Sequence, residues 1–314
     1  DIDGDGDVDV VAANQAGIVS YTNVGDTNGD GAADFIRSVV HSGFVGYDVA
    51  VADLDGDGRL DIVASQYGSL TELRNNGDVN SDGLANDFTS RSVYTGSQGY
   101  GYGITTADMN GDGLTDIILA NYYYGPNQIL LNQGDTNGDG QVDYVVQNLN
   151  GAFNDNGLGV DTGDIDGDGD LDLLVSRWSG QNEVIYINDG DANNDGLIDF
   201  RTIELPTGGS TLESELIDID GDGDLDVVTS ENSGDARILY NEGDTDGDGL
   251  VDFSMQSVTG AYSNYGLAVG DVDGDGDLDI VYPSLSENAS LYLQNQGDTD
   301  GDGQLNFISG PLTG

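Results

Sequence analysis

Short apolar runs, each bounded by acidic and glycine-rich turns, recur along the chain. DIVAS (61–65), DIILAN (116–121), DLLVS (172–176) and DVVTS (226–230) are too short for helices, and their β-branched content predicts buried strands. Between 47 and 95 four strand candidates follow one another: YDVAVA (47–52), LDIVAS (60–65), LTELRN (70–75) and DFTSRSVYT (87–95). Acidic turns separate the first from the second and the third from the fourth.

These turns are two alternating nine-residue motifs. The first begins at Asp1, Asp53, Asp108, Asp164, Asp218 and Asp271, as in DIDGDGDVD and DLDGDGRLD. The second begins at Asp26, Asp78, Asp135, Asp191, Asp244 and Asp298, as in DTNGDGAAD. Copies of the first lie 52 to 56 residues apart, which divides the chain into repeats of approximately 1–46, 47–101, 102–157, 158–211, 212–264 and 265–314. Four short strands per unit, repeated six times, predict an all-β fold, a β-propeller of four-stranded antiparallel blades within one domain, 1–314. Six blades are visible, and seven is the alternative, with further sequence beyond this segment. The first repeat lacks its innermost strand, and the chain stops at FISGPLTG before another would begin. A β-roll built on nine-residue repeats is excluded, because that period is absent.

Carboxylates and carboxamides at positions 1, 3, 5 and 9, with glycine at 6, are what a calcium loop uses. Alternate residues aim hard oxygen donors at one point, the carbonyl of position 7 adds another, and the glycine turns the backbone. In the first motif the candidate ligands are Asp1, Asp3, Asp5 and Asp9, then Asp53, Asp55, Asp57 and Asp61. Asp108, Asn110, Asp112 and Asp116 follow, then Asp164, Asp166, Asp168 and Asp172. The last copies offer Asp218, Asp220, Asp222 and Asp226, and Asp271, Asp273, Asp275 and Asp279.

In the second motif they are Asp26, Asn28, Asp30 and Asp34, then Asp78, Asn80 and Asp82, where Asn86 takes position 9 and Asp87 lies beside it. Asp135, Asn137, Asp139 and Asp143 follow, then Asp191, Asn193, Asp195 and Asp199. The last copies offer Asp244, Asp246, Asp248 and Asp252, and Asp298, Asp300 and Asp302, with Asn306 at position 9. An EF-hand is excluded, since position 12 is Ala12, Ala64 or Leu119 and the flanks read as strands. Up to twelve Ca²⁺ ions are expected, two per repeat.

The pattern resembles the FG-GAP/VCBS repeat, the calcium-binding blade of integrin α-subunit propellers and of many secreted bacterial proteins. The resemblance implies that Asp53, Asp55, Asp57 and Asp61, with their counterparts, are metal ligands. Two departures stand out: YGITTAD and YGLAVGD replace the Phe-Gly signature, and every repeat carries a second acidic loop.

The charge balance follows from the motifs. Of 59 acids against 7 bases, 27 lie in the first motif and 19 in the second, and twelve divalent ions would bring the formal −52 to −28. A solvated acidic surface would scatter these acids rather than hold them in register. All seven bases are arginine and there is no cysteine, so nucleic acid, anionic membrane and thiol chemistry are excluded. No apolar run approaches spanning length, so direct membrane insertion is not expected. Affinities of extracellular calcium modules imply an extracellular or cell-surface setting.

Antiparallel blades put the acidic loops at one end and the remaining loops at the other. That other end carries Tyr67, Tyr122, Tyr123, Tyr124, Arg177 and Trp178 in loops between second and third strands. Phe44, Tyr47, Tyr100, Tyr102, Phe153, Tyr262 and Tyr265 lie in or near the connections between repeats. Tyr122, Tyr123, Tyr124, Arg177 and Trp178 are the candidate ligand residues, for a carbohydrate or protein partner. Packing between blades is the competing role for the tyrosines, Tyr47, Tyr102 and Tyr265 above all, and Arg177 could instead balance acids such as Glu183. Asp48, Asp161, Glu213 and Glu215 stand where inner strands usually carry small residues. They are expected to line a wet central channel, or to hold a cation or polar ligand at its mouth.

A binding, adhesion or assembly module is the reading favoured. A polysaccharide lyase is the alternative, but one histidine, His41, no lysine and a negative field suit acidic sugars badly. A structural subunit of a fibre or surface layer, with self-assembly, is a third reading.

Overall fold

A computed structural model of the chain describes residues 1–14, 17–43, 46–80, 87–94, 99–123, 125–149, 156–232, 235–258, 266–283 and 290–312. Among them are strands and turns but no helix. The fold is all-β, built from β-propeller blades, and the chain forms two compact units, Asp1–Asp155 and Asn156–Gly314.

The first unit holds three sheets. β1 (Val10–Asn14), β2 (Gly17–Asn23) and β3 (Phe35–Ser42) form a three-stranded sheet, as the missing inner strand requires. β4 (Val49–Ala52), β5 (Asp61–Gln66), β6 (Ser69–Asn75) and β7 (Phe88–Tyr94) form the second. β8 (Tyr100–Ala107), β9 (Asp116–Tyr122), β10 (Gln128–Asn132) and β11 (Tyr144–Asn148) form the third. Each sheet is a meander in which consecutive strands pair antiparallel.

The second unit repeats the plan three times. Its first sheet is β12 (Gly157–Gly163), β13 (Asp172–Arg177), β14 (Val184–Asn188) and β15 (Phe200–Glu204). The next is β16 (Thr211–Ile217), β17 (Asp226–Glu231), β18 (Ala236–Asn241) and β19 (Phe253–Val258). The last is β20 (Ala268–Gly270), β21 (Asp279–Tyr282), β22 (Ser290–Asn295) and β23 (Phe307–Leu312).

The core lies between sheets within each unit. Ile2 and Ile18 pack with Ile62, Ala64 and Leu73, and Leu54, Val63 and Leu70 pack with Ile104, Ile117, Leu119 and Leu130. In the second unit Ile165, Leu174 and Ile185 meet Val227, Leu239 and Val251, and Ile219 and Val228 meet Ile280, Tyr282 and Leu293. Apolar residues at position 2 of the first motif enter this core: Ile2, Leu54, Ile165 and Ile219 are each buried. Val272 holds that position in the sixth sheet and is 58% exposed. Burying one such side chain contributes about 1.5–3 kcal/mol, so the acidic loops are fastened to the interior at their second residue.

Candidate functional site

From the second sheet on, the first-motif loops link the first strand of a sheet to the second, the Asp1 loop leads into β1, and each folds around its own position-1 carboxylate. Asp53 Oδ1 accepts from the N–H groups of Gly56 (2.8 Å) and Asp57 (3.1 Å), and Oδ2 accepts from Gly58 (2.8 Å). Asp1, Asp218 and Asp271 accept in the same way from positions 4 and 6. Position 6 needs glycine for its backbone: Gly58 sits at φ +86°, and a Cβ there would meet no neighbour within 4 Å.

This winding gathers the carboxylates. One oxygen from each of Asp53, Asp55 and Asp57 lies within 4.8 Å of the others, as do those of Asp1, Asp3 and Asp5, and of Asp218, Asp220 and Asp222. In the second unit Asp164, Asp166 and Asp172 form such a group, and Asp244, Asp246 and Asp248 form one in a second-motif loop. Asp164 Oδ1 is buried there without a hydrogen-bond partner. The donors are all hard oxygens, with no imidazole or thiolate, so these residues could hold a hard divalent cation.

Position 9 has a second task. Asp61, Asp116, Asp172 and Asp226 each start the second strand of their sheet and are almost fully buried. Asp61 Oδ2 accepts from Leu54 N–H (3.1 Å) and Oδ1 from Asn75 N–H (2.7 Å). Burial pushes the carboxyls of Asp61, Asp116 and Asp172 up to about 6, and Asp226 to about 7, although both oxygens accept amide hydrogens.

The asparagine on the far side of that bond escaped the sequence reading. Asn75, Asn132, Asn188, Asn241 and Asn295 each end the third strand of their sheet, and Asn23 ends β2, the middle strand of the three-stranded first sheet. Each donates its backbone N–H to position 9 at 2.7–2.8 Å, and its Oδ1 accepts from the glycine two residues on at 2.8–3.0 Å. In four of them Nδ2 reaches the preceding sheet: Asn75 to Ile2 O (2.8 Å), Asn132 to Leu54 O (2.8 Å), Asn241 to Ile165 O (2.9 Å) and Asn295 to Ile219 O (3.4 Å). The signal was in the sequence as Asn-x-Gly-Asp, which opens every second-motif loop.

Second-motif loops link the last two strands of each sheet and are more exposed. Asp26 Oδ1 and Oδ2 accept from Gly29, Asp30 and Gly31 (2.6–3.1 Å), like position 1 of the first motif. Position 9 differs. Asp34 accepts from the N–H (2.9 Å) and hydroxyl of Thr27 and from Asn28 Nδ2 (3.0 Å), and the Thr27 hydroxyl above all holds its carboxyl below the usual range. Asn137 and Asn193 donate in the same way to Asp143 (3.1 Å) and Asp199 (3.0 Å). In the second repeat Asp87 accepts from the loop, taking the N–H of Asn80 at 2.9 Å. In the sixth, Asn306 Oδ1 accepts from Thr299 N–H (2.8 Å), so an amide replaces the carboxylate. Asp82 and Asn86 lie outside the described residues.

The acids of the inner strands fasten neighbouring sheets. Asp48 Oδ2 accepts from Ile104 N–H (3.1 Å), Asp161 Oδ2 from Leu216 N–H (2.9 Å) and Glu213 Oε2 from Leu267 N–H (3.2 Å). Each carboxylate thus meets an amide of the next inner strand within its unit. Burial raises Glu215, with the charges of Asp161 and Glu213 acting in the same direction.

At the opposite end of the first unit six tyrosine rings form a continuous row. Tyr67 meets Tyr100 (centroids 4.8 Å), Tyr100 meets Tyr47 (5.8 Å), and Tyr47 stacks on Tyr102 (4.5 Å, 25° between planes). Tyr102 meets Tyr122 edge-on (5.2 Å), and Tyr122 meets Tyr123 (4.0 Å). Tyr67 is 56% exposed and Tyr123 43%, whereas Tyr100 and Tyr122 are half-buried. Tyr123 is held at φ +53°, unusual for a bulky residue. Burial pushes the Tyr122 hydroxyl up to about 12, so it stays protonated at neutral pH.

In the second unit Arg177 is buried at the end of β13, 3.9 Å from Glu204, and the backbone N–H of the half-buried Trp178 donates to Asn156 O (3.0 Å). Phe44, Tyr124, Phe153, Tyr262 and Tyr265 lie outside the described residues.

A buried carboxyl pair also lies at this end. Glu183 and Glu231 are fully buried, both accept from the Thr211 hydroxyl, and Glu231 pairs with Arg237 (2.8 Å).

The chain's sequence and fold both have relatives. No curated protein sequence matches it. In structure it is similar to an Agrocybe aegerita lectin, solved for its specific recognition of non-reducing terminal N-acetylglucosamine. That likeness has a TM-score of 0.55 and 20% identity, covering 100% of this chain and 78% of that one. It is also similar to BBS1N, solved in complex with ARL6DN, at a TM-score of 0.49 and 13% identity, covering 87% of this chain and 70% of that one. The FG-GAP-like repeat model matches residues 1–64, 53–119, 108–175 and 218–282. Most of the chain is thereby covered, and it belongs to the FG-GAP-like repeat family.

Proposed function

We propose that this chain is a calcium-stabilised binding module of the extracellular space or cell surface, rather than an enzyme. The carrying observation is the gathering of carboxylate oxygens within 4.8 Å, repeated in register through both units. Asp53, Asp55, Asp57 and Asp61, with their counterparts, would hold the ions, and the second-motif loops would hold others. Bound calcium would supply the positive charge that lets these carboxylates share so small a volume.

The ligand would be a carbohydrate or a protein, taken up at the end opposite the acidic loops. Exposed tyrosines there support this, as does the likeness in fold to a sugar-recognising lectin. The test is a calorimetric calcium titration of the purified chain, followed by a ligand screen with and without EDTA. Saturable calcium binding with a calcium-dependent ligand is expected. An absence of calcium binding at millimolar concentrations would overturn the reading.

A further inference from the structure

We infer that the tyrosine row of the first unit, from Tyr67 through Tyr102 to Tyr123, is a binding site for a neutral glycan chain. This rests on the binding-module reading and names its ligand class.

The row is preformed. Tyr67 and Tyr100 are joined by an isolated antiparallel bridge, and Gly68 N–H donates to Gly99 O (3.0 Å), so the β5–β6 hairpin is pinned to the start of β8. Gly101 lets β8 lie close against its neighbours, because a Cβ there would come 2.7 Å from Leu119 Cδ1 and 3.0 Å from Ser65 Cβ. Adjacent rings contact at 4.0–5.8 Å, so little side-chain entropy remains to be lost on binding.

The chemistry of the surroundings selects the occupant. Residues 64–71, 99–104, 117–123 and 125–131 contain no Asp, Glu, Lys or Arg, in a chain with 59 acids. Asp48, next to Tyr47 in the chain, is turned onto Ile104 N–H. A cationic protein would be drawn to the aspartate loops at the other end of these blades, and an anionic chain would be repelled by the whole molecule. Phenol rings offer an apolar face to the C–H faces of sugar rings, with hydroxyls that donate and accept. A neutral polyhydroxylated chain fits both properties.

The intact protein in calcium would be titrated with cellohexaose and chitohexaose, with hexagalacturonate and with poly-lysine. At least one neutral hexasaccharide is expected to bind and the acidic one not. Tyr67→Ala and Tyr123→Ala should each weaken that binding about tenfold, and Tyr67→Phe and Tyr123→Phe by less than about threefold. Both positions are exposed, and melting temperatures in calcium check that each variant folds. Undiminished neutral-glycan binding by the double alanine variant overturns the site and leaves the binding-module reading standing. Tyrosine-dependent binding of poly-lysine alone overturns the ligand class. Binding of none of these probes overturns the glycan inference, and the EDTA-controlled ligand screen judges the module reading separately.

Discussion

The N–H of Asn75 donates to Asp61 Oδ1 at 2.7 Å, and the Nδ2 of the same asparagine donates to Ile2 O, in the preceding repeat, at 2.8 Å. One buried residue, through its backbone N–H and its side chain together, thus connects the end of a first-motif loop, the start of a second-motif loop and the neighbouring repeat. The same Asp–Asn pairing occurs in all six repeats, so calcium held at position 9 would be coupled to the contact between blades.

Replacing Asn75 with alanine strips the donor to Ile2 O and Leu60 O and the acceptor of Gly77 N–H. The stranded buried groups should cost about 2–4 kcal/mol, since each unpaired group costs about 1–3. Asn75→Asp keeps the acceptor and loses the donors, and should rescue little. Denaturant unfolding in saturating calcium would measure both, and an unchanged midpoint for Asn75→Ala would refute the coupling.

Removal of calcium should lower the melting temperature sharply. Without metal, each loop confines three to five carboxylates whose repulsion little else in the loop offsets, whereas binding to the folded state alone stabilises it by mass action. Thermal melts across a calcium series, with EDTA as the limit, test this. A transition that does not move would count against a structural role for the ion.

Within one loop the aspartates should not be equivalent. Asp168 Oδ1 accepts from Asp170 N–H at 2.9 Å, and in the proposed calcium loop position 5 would offer its carboxylate to the ion, whereas position 7 would offer only its carbonyl. Asp168→Ala should therefore weaken calcium binding in its repeat far more than Asp170→Ala. Equal losses in calcium titrations of the two variants would remove the ligand assignment.

The Glu183–Glu231 pair should make stability depend on pH. Burial, then the charge of Glu183, pushes Glu231 from 4.5 up to about 7, while Arg237 pulls in the opposite direction. Folding therefore favours the protonated form: the contribution is full below the unfolded value near 4.5 and is lost as pH rises through about 7. Glu231→Gln should flatten this decline, leaving the variant relatively more stable at pH 8 than at pH 5. Parallel pH–stability curves for the two proteins, at fixed free calcium, would show that the pair is not the source.

The sequence by itself determined the repeat, the strands and the acidic loops, because all three are local. A buried strand needs only its own apolar run, and the Asp53 loop closes on itself through Gly56, Asp57 and Gly58. The three-stranded first sheet was legible for the same reason. Tertiary structure decided what joins the repeats. The Asn75 bond to Ile2 O spans 73 positions, and Asp161 finds Leu216 N–H 55 positions away, so an Asn-x-Gly-Asp run or an odd inner-strand acid shows its purpose only when two sheets face each other. The tyrosine row was half legible. Loop position placed Tyr67, Tyr122 and Tyr123 at the right end, but only the docking of β8 beside β4 and β5 stacks Tyr47 on Tyr102 and makes one surface of six rings. Contact between side chains distant in sequence depends on how the sheets pack, which no local pattern encodes.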